Sequence, residues 1–156
     1  MARFRPLTQR DLYSCGPIAV MNALRWSGKR VPYGDLGKYK RMCRHKKDLG
    51  SLDRNIDKVL RRASGIRVRF RNGPRADVVD SWLRGGGAVV FSFNHARTSE
   101  KRVCRHVVLI TRVTRKSYVT HNLSKGVGTK LWPKRSMHRY MREDGYVWLV
   151  SREEKK

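Results

Sequence analysis

The stretch from Cys15 to Trp26 constrains the fold more than any other part of the chain. Ile18, Ala19, Met21, Ala23, Leu24 and Trp26 follow helical spacing yet cover most of the circumference. A helix that is apolar nearly all round must be buried on every side. The pattern predicts a central helix with the other elements packed around it. Pro17 falls in the first turn, where its missing N–H has no partner to lose. Gly28 closes the helix.

Around this helix the chain reads as helices first and sheet last. A short helix is expected over Tyr33–Tyr39. A second begins at a Ser51 cap, with Leu52, Ile56, Val59, Leu60 and Ala63 on one stripe, and ends at Gly65. Ile66, Val68 and Phe70 alternate with arginines as a half-buried strand. A helix from Pro74 runs through Val78, Val79, Trp82 and Leu83 to Gly85-Gly86-Gly87. Strands follow at Ala88–Phe93, Val103–Val113, Ser117–Asn122 and Tyr146–Val150. A turn spans Ser124–Gly128, and a short helix lies between Pro133 and Glu143. This order predicts an α+β fold with N-terminal helices on a C-terminal antiparallel sheet. The 156 residues fit one domain, 1–156, with a helical part over about 15–84 and a sheet part over about 88–151.

Charge narrows the partners. There are 37 Lys and Arg against 12 Asp and Glu, a formal net charge of +25. The bases are spread along the chain and are densest from Lys38 to Lys47, so the positive field belongs to the folded body. Such a field attracts polyanions, DNA or RNA among them. No apolar run reaches the ~20 residues of a membrane span. Met-Ala-Arg-Phe-Arg has no apolar signal core, so secretion by a cleaved leader is not expected. Three cysteines make no closed disulfide set and suit a reducing compartment. The expected location is the cytoplasm, or a virus or phage particle beside its genome.

Cys15 opens the central helix. Unpaired N–H groups and the positive dipole end favour a thiolate there, predicting a pKa below ~8.5. Gly16 is expected to leave room for a substrate carbonyl. The Gln9 amide, six residues upstream, can donate to an oxyanion, with the Cys15 N–H as second donor. His106 is the candidate base, lying in the apolar run that ends Val107-Val108-Leu109-Ile110. Asn122 ends the next strand. A hairpin turning near Arg115-Lys116 pairs 109 with 122 and brings Asn122 towards the imidazole as its orienting acceptor. His121 is a rival base, but it should face the other side of its strand.

Gln9, then Cys15-Gly16-Pro17 and an apolar helix, resembles papain-like cysteine peptidases. It resembles more closely the peptidase domain that removes double-glycine leaders in bacteriocin export. Gly28, Gly50-Ser51, the Gly-rich turn from Gly85 to Val90 and the His106–Ile110 strand fall in that family's order. The family closes the next strand with Asp-Pro, where this chain has Asn122-Leu123. The resemblance implies a papain-like fold and cleavage of a peptide or isopeptide bond by Cys15, His106 and Asn122, with Gln9 at the oxyanion. It implies a peptide or protein substrate and no cofactor.

Other readings stand beside this one. Amidase, deubiquitinase-like and transglutaminase-like chemistry use the same residues. Cys43-x-His45 and Cys104-x-His106 could supply four zinc ligands, but not at usual spacings, and zinc would take His106 from catalysis; no metal is expected. The four tryptophans read as core, with base stacking on Trp132 as the alternative. The main rival is a catalytically idle fold serving as a basic structural or nucleic-acid-associated component of a virus or phage particle, a minor capsid protein.

Overall fold

The chain turns into its first helix around one carboxylate. In the computed structural model, which describes residues 4–47, 50–94 and 105–153, Asp11 Oδ1 accepts the N–H groups of Tyr13 (2.8 Å) and Ser14 (2.7 Å). Its Oδ2 accepts the Ser14 hydroxyl at 2.6 Å and pairs with Lys40 Nζ at 3.2 Å. Burial opposes the charge, but the bonds from Ser14, Tyr13 and Lys40 outweigh it and hold the carboxyl well below the usual range.

Helix α1, Cys15–Trp26, follows at once, and every residue in it except Arg25 is buried. The one buried amide on α1 is satisfied: Asn22 accepts from Leu7 N at 2.7 Å and donates to Leu7 O at 2.9 Å. That bond pins the N-terminal segment along the helix. A 3-10 turn at Tyr33–Asp35 leads into α2, Leu36–Met42. Helix α3, Asp53–Arg62, starts later than expected: its N-cap is Leu52, not Ser51. Ser51 Oγ is buried without a hydrogen-bond partner, because the residue is pressed against α1 at Gly16.

The strands are β1 (Ile66–Asn72), β2 (Ala88–Asn94), β3 (Arg105–Val113), β4 (Ser117–His121), β5 (Thr129–Pro133) and β6 (Tyr146–Arg152). Among the described residues they form one sheet in the order β1-β6-β2-β3-β4-β5, and each neighbouring pair is antiparallel. One face carries Val90, Val107, Leu109, Trp148 and Val150 and packs against α1 and α3. The other carries Val89, Phe91, Val108, Ile110 and Leu149 and packs against α4 (Ala76–Arg84) and α5 (Lys134–Asp144). The α+β architecture is therefore as the element order implied. Two details differ. β1, from the helical half, pairs with β6 at the sheet's edge. β5 was not expected, because it is an edge strand with only Trp132 buried and so has little apolar alternation to read. Of the expected Val103–Val113 strand, residues 103 and 104 lie outside the described residues.

The Gly85-Gly86-Gly87 stop also has a packing role. The Trp82 indole N–H bridges Ala88 O (3.0 Å) and Val150 O (3.1 Å), tying α4 to β2 and β6. A Cβ on Gly87 would run into that indole. Gly87→Ala should displace the ring and cost about 1–3 kcal/mol. Urea unfolding of wild type and variant checks this, and an unchanged midpoint refutes it.

Candidate active site

Asn122 lies in the left-handed region, φ 62°, which short polar side chains tolerate better than most. It is fully buried, and all its polar groups are bonded. Its N–H donates to Gly128 O at 2.9 Å. Its Oδ1 accepts from Gln9 N at 2.8 Å, and its Nδ2 donates to Gln9 Oε1 at 2.9 Å. Its backbone carbonyl accepts from His106 Nε2 at 3.0 Å. A carbonyl cannot donate, so the imidazole carries its proton on Nε2, and Nδ1 is the acceptor nitrogen of the neutral ring.

This differs from the expected link in one respect. The backbone of Asn122 holds His106, and the side chain holds Gln9. The cause is a bulge in β3. Near the turn the register is the expected one, Val113 with Tyr118 and Arg112 with Val119, but it slips at Thr111 so that Leu109 faces His121 rather than Asn122. An extra residue on one strand shifts all later pairings by one. Asn122 is left just beyond the ladder, free to turn back towards Gln9.

Gln9 is buried and doubly anchored. Besides its bonds to Asn122, its Nε2 donates to Asp11 O at 3.0 Å, and its carbonyl accepts from Gly126 N at 3.2 Å. The sulfur of Cys15 lies 3.9 Å from Arg105 O and also faces the Val107 N–H. These are the peptide groups on either side of His106. The structure thus brings Gln9, Cys15, His106 and Asn122 into one site.

The expected thiolate is not what this environment favours. Burial pushes the Cys15 thiol up to about 11, although the N–H groups of Val107, Gly16 and Cys15 itself pull the other way. The Asp53 carboxylate nearby adds to the rise. Desolvation therefore outweighs the helix terminus. The space beside Gly16 is also already occupied: a Cβ there would come within 2.9 Å of Ile56 Cδ1. Gly16 lets α3 approach α1 rather than making room for a carbonyl.

A neighbouring cluster escaped the sequence reading. Arg105 Nε lies 2.8 Å from Asp53 Oδ2 and 3.0 Å from Ser92 Oγ, while Ser92 donates to Asp53 Oδ1 at 2.7 Å. The three residues come from α3, β2 and β3. No local pattern joins them; the only hint was an arginine beside His106 in an apolar strand.

His121 is not in the site. It pairs with Leu109 and shares that residue's face. Its ring nitrogens meet Thr111 Oγ1 at 2.7 Å and Thr129 Oγ1 at 3.0 Å. Trp132 is buried against Phe93 and Tyr140, which removes it as an open stacking platform. Of the two Cys-x-His pairs, Cys104 lies outside the described residues. Among the described residues no three His, Cys, Asp or Glu side chains converge as metal ligands, and no helix is long and apolar enough to cross a membrane.

Solved structures share this architecture. The peptidase domain of Streptococcus ComA, a bi-functional ABC transporter of a quorum-sensing pathway, superposes with a TM-score of 0.68 at 13% identity, covering 97% of this chain and 100% of that one. The chain has the C39 peptidase fold. A double-glycine motif protease from an AMS/PCAT transporter, solved with a leader peptide, gives 0.65 at 17% identity over 97% of each chain. A protein from Bacillus anthracis described as a C39-like peptidase gives 0.69 at 11% identity, covering 99% and 98%. No protein-family model matches the sequence, and no curated protein does.

Two expectations follow. His121 is kept neutral, burial lowering its pKa from 6.5 to about 4. The unfolded chain therefore takes up this proton first as the pH falls. The stabilisation is complete above pH 6.5 and is lost as the pH drops through 4, by up to about 3 kcal/mol. Denaturant midpoints measured between pH 7 and pH 4 should fall accordingly, and His121→Gln should flatten that limb. Second, iodoacetamide should label resting Cys15 slowly at pH 7, with the rate rising about tenfold per pH unit towards pH 11. A plateau below pH 9 would instead show a thiolate held at rest by protonated His106.

Proposed function

We propose that the chain is a cysteine peptidase of papain-like type, cleaving a peptide bond through Cys15, His106 and Gln9 with Asn122 as the positioning residue. The observation that carries this reading is the set of bonds centred on Asn122. One buried residue holds the His106 ring by Nε2 and the Gln9 amide by its head group, while the Cys15 sulfur lies against the backbone at His106. The C39 fold supports it, and so does the order of these residues along the chain.

The chemistry follows from the tautomer. His106 Nδ1 takes the Cys15 proton as the sulfur attacks the substrate carbonyl carbon. Because burial keeps the resting thiol protonated, this transfer accompanies the attack. The oxyanion receives hydrogen bonds from the Cys15 N–H and from the second hydrogen of Gln9 Nε2, the first being held by Asp11 O. The imidazolium returns its proton to the leaving amine. Water, deprotonated by His106, then hydrolyses the thioester and releases the acid and the thiol.

A second reading has its own observation. Arg67, Arg69 and Arg71 alternate along edge strand β1 and are exposed, and among the described residues none of the three has an ion-pair partner. Alternate residues on a strand stand about 6.7 Å apart, a regular cationic row on a chain already carrying +25. Binding of DNA or RNA along this edge is compatible with peptidase activity elsewhere on the molecule.

The test is turnover. Purified protein incubated with a library of Gly-Gly-containing peptides should release fragments identifiable by mass. Cys15→Ala should abolish release, and His106→Ala should reduce it by about 100-fold or more. Cleavage that persists in Cys15→Ala removes the peptidase reading. DNA binding that weakens with salt and survives Cys15→Ala supports the second reading.

A further inference from the structure

The loop that holds Gln9 has a second side. Next to it lies an open pocket of about 620 Å³, lined by Arg10, Lys40, Lys47, Lys125, His45, Leu12 and Tyr13 together with Asp11. Its walls are continuous with the site. Asp11 O takes the Gln9 amide, Lys125 belongs to the turn whose Gly126 N–H donates to Gln9 O, and Tyr13 is two residues from Cys15, at most about 7.6 Å between Cα atoms.

The pocket is cationic even with its own carboxylate counted. Asp11 is consumed by Tyr13, Ser14 and Lys40. Arg10 is stacked on the Tyr33 ring at 4.2 Å, which sets the guanidinium in place without neutralising it. Among the described residues Lys47 and Lys125 have no ion-pair partner. His45 Nδ1 is buried with no hydrogen-bond partner, a polar atom in the lining still lacking its bond. The wall is not purely ionic: Leu12 is 68% exposed and lies beside Tyr13. A lining that combines Leu12 and Tyr13 with several cations suits a side chain with methylenes and a terminal carboxylate better than a bare inorganic anion.

We propose that this pocket binds an acidic side chain, Glu or Asp, of the peptide substrate close to the scissile bond, making it a specificity-determining site. The inference rests on the peptidase reading for its substrate but not for its ligand chemistry, so the two can fail separately.

The probe is a set of rhodamine-labelled peptides centred on Gly-Gly, with one Glu placed in turn at each of the three positions on either side, and Gln counterparts. Binding is measured by anisotropy on Cys15→Ala at fixed ionic strength. At one or two adjacent positions Glu should bind about tenfold more tightly than Gln. The exposed triple variant R10Q/K47Q/K125Q should lose that preference and keep the wild-type melting temperature. The control triple R67Q/R69Q/R71Q, which removes equal charge from β1, should keep it. Equal loss in both triples would mean the overall field attracts the peptide, and the pocket assignment falls. It falls too if Glu and Gln bind alike, or if inorganic phosphate displaces the Glu peptide better than chloride at equal ionic strength. Turnover of the same peptides by the wild-type protein separates the two claims. Binding with a Glu preference but no cleavage retains the pocket and removes the peptidase reading. Cleavage without a Glu preference does the reverse.

Discussion

The paired hydrogen bonds between Gln9 and Asn122 are the constraint on which the site depends. They join the segment before α1 to the end of β4, 113 residues apart in sequence. Both amides are buried, so each bond satisfies a group that would otherwise be desolvated without a partner. The same Asn122 then passes the constraint to His106 through its carbonyl. A residue with ordinary backbone geometry could not serve. The left-handed turn at Asn122 points the head group towards Gln9 while the carbonyl faces the imidazole. Rigidity of this kind lets a hydrogen-bond donor be in place before charge develops, which is where most electrostatic catalysis originates.

The sulfur is governed by a contest between two effects. The helix terminus and three N–H groups stabilise a thiolate, and burial against β3 opposes it. Burial wins, leaving a neutral thiol near 11. A resting thiol of this kind is protected from oxidants and stray electrophiles, which react with thiolates. In the proposed mechanism a neighbour must accept the proton at the moment of attack, and the Nε2 bond of His106 to Asn122 O assigns that part to Nδ1.

Much of this was legible in the sequence because it is local. The all-round apolar pattern of Cys15–Trp26 can only be a buried helix, and it is one. Alternation revealed β1 and the apolar runs revealed β2, β3 and β6. Gln9, Cys15, His106 and Asn122, singled out far apart in the sequence, do lie close together in the fold. What failed was non-local. A one-residue bulge at Thr111 leaves no mark on composition, yet it decides which end of Asn122 meets His106. The Arg105–Asp53–Ser92 cluster joins three elements with no shared periodicity. The thiol's environment likewise depends on α3 and β3, which the first fifteen residues do not announce. β5 escaped because an edge strand with one buried side chain has little pattern to show.

The sheet order has a consequence for synthesis. β6 is the last strand in chain order, yet it lies between β1 and β2. Until it emerges, β1 has no strand to pair with and β2 has one open side. Pairings of such long sequence separation form slowly, because loop closure must come first. Of the residues that meet at Asn122, Gln9 precedes the sheet in the chain, while His106 lies in β3 and Asn122 just past β4. A nascent molecule therefore carries Cys15 long before the strands that bury it, and the sheet around it is completed only with the last strand.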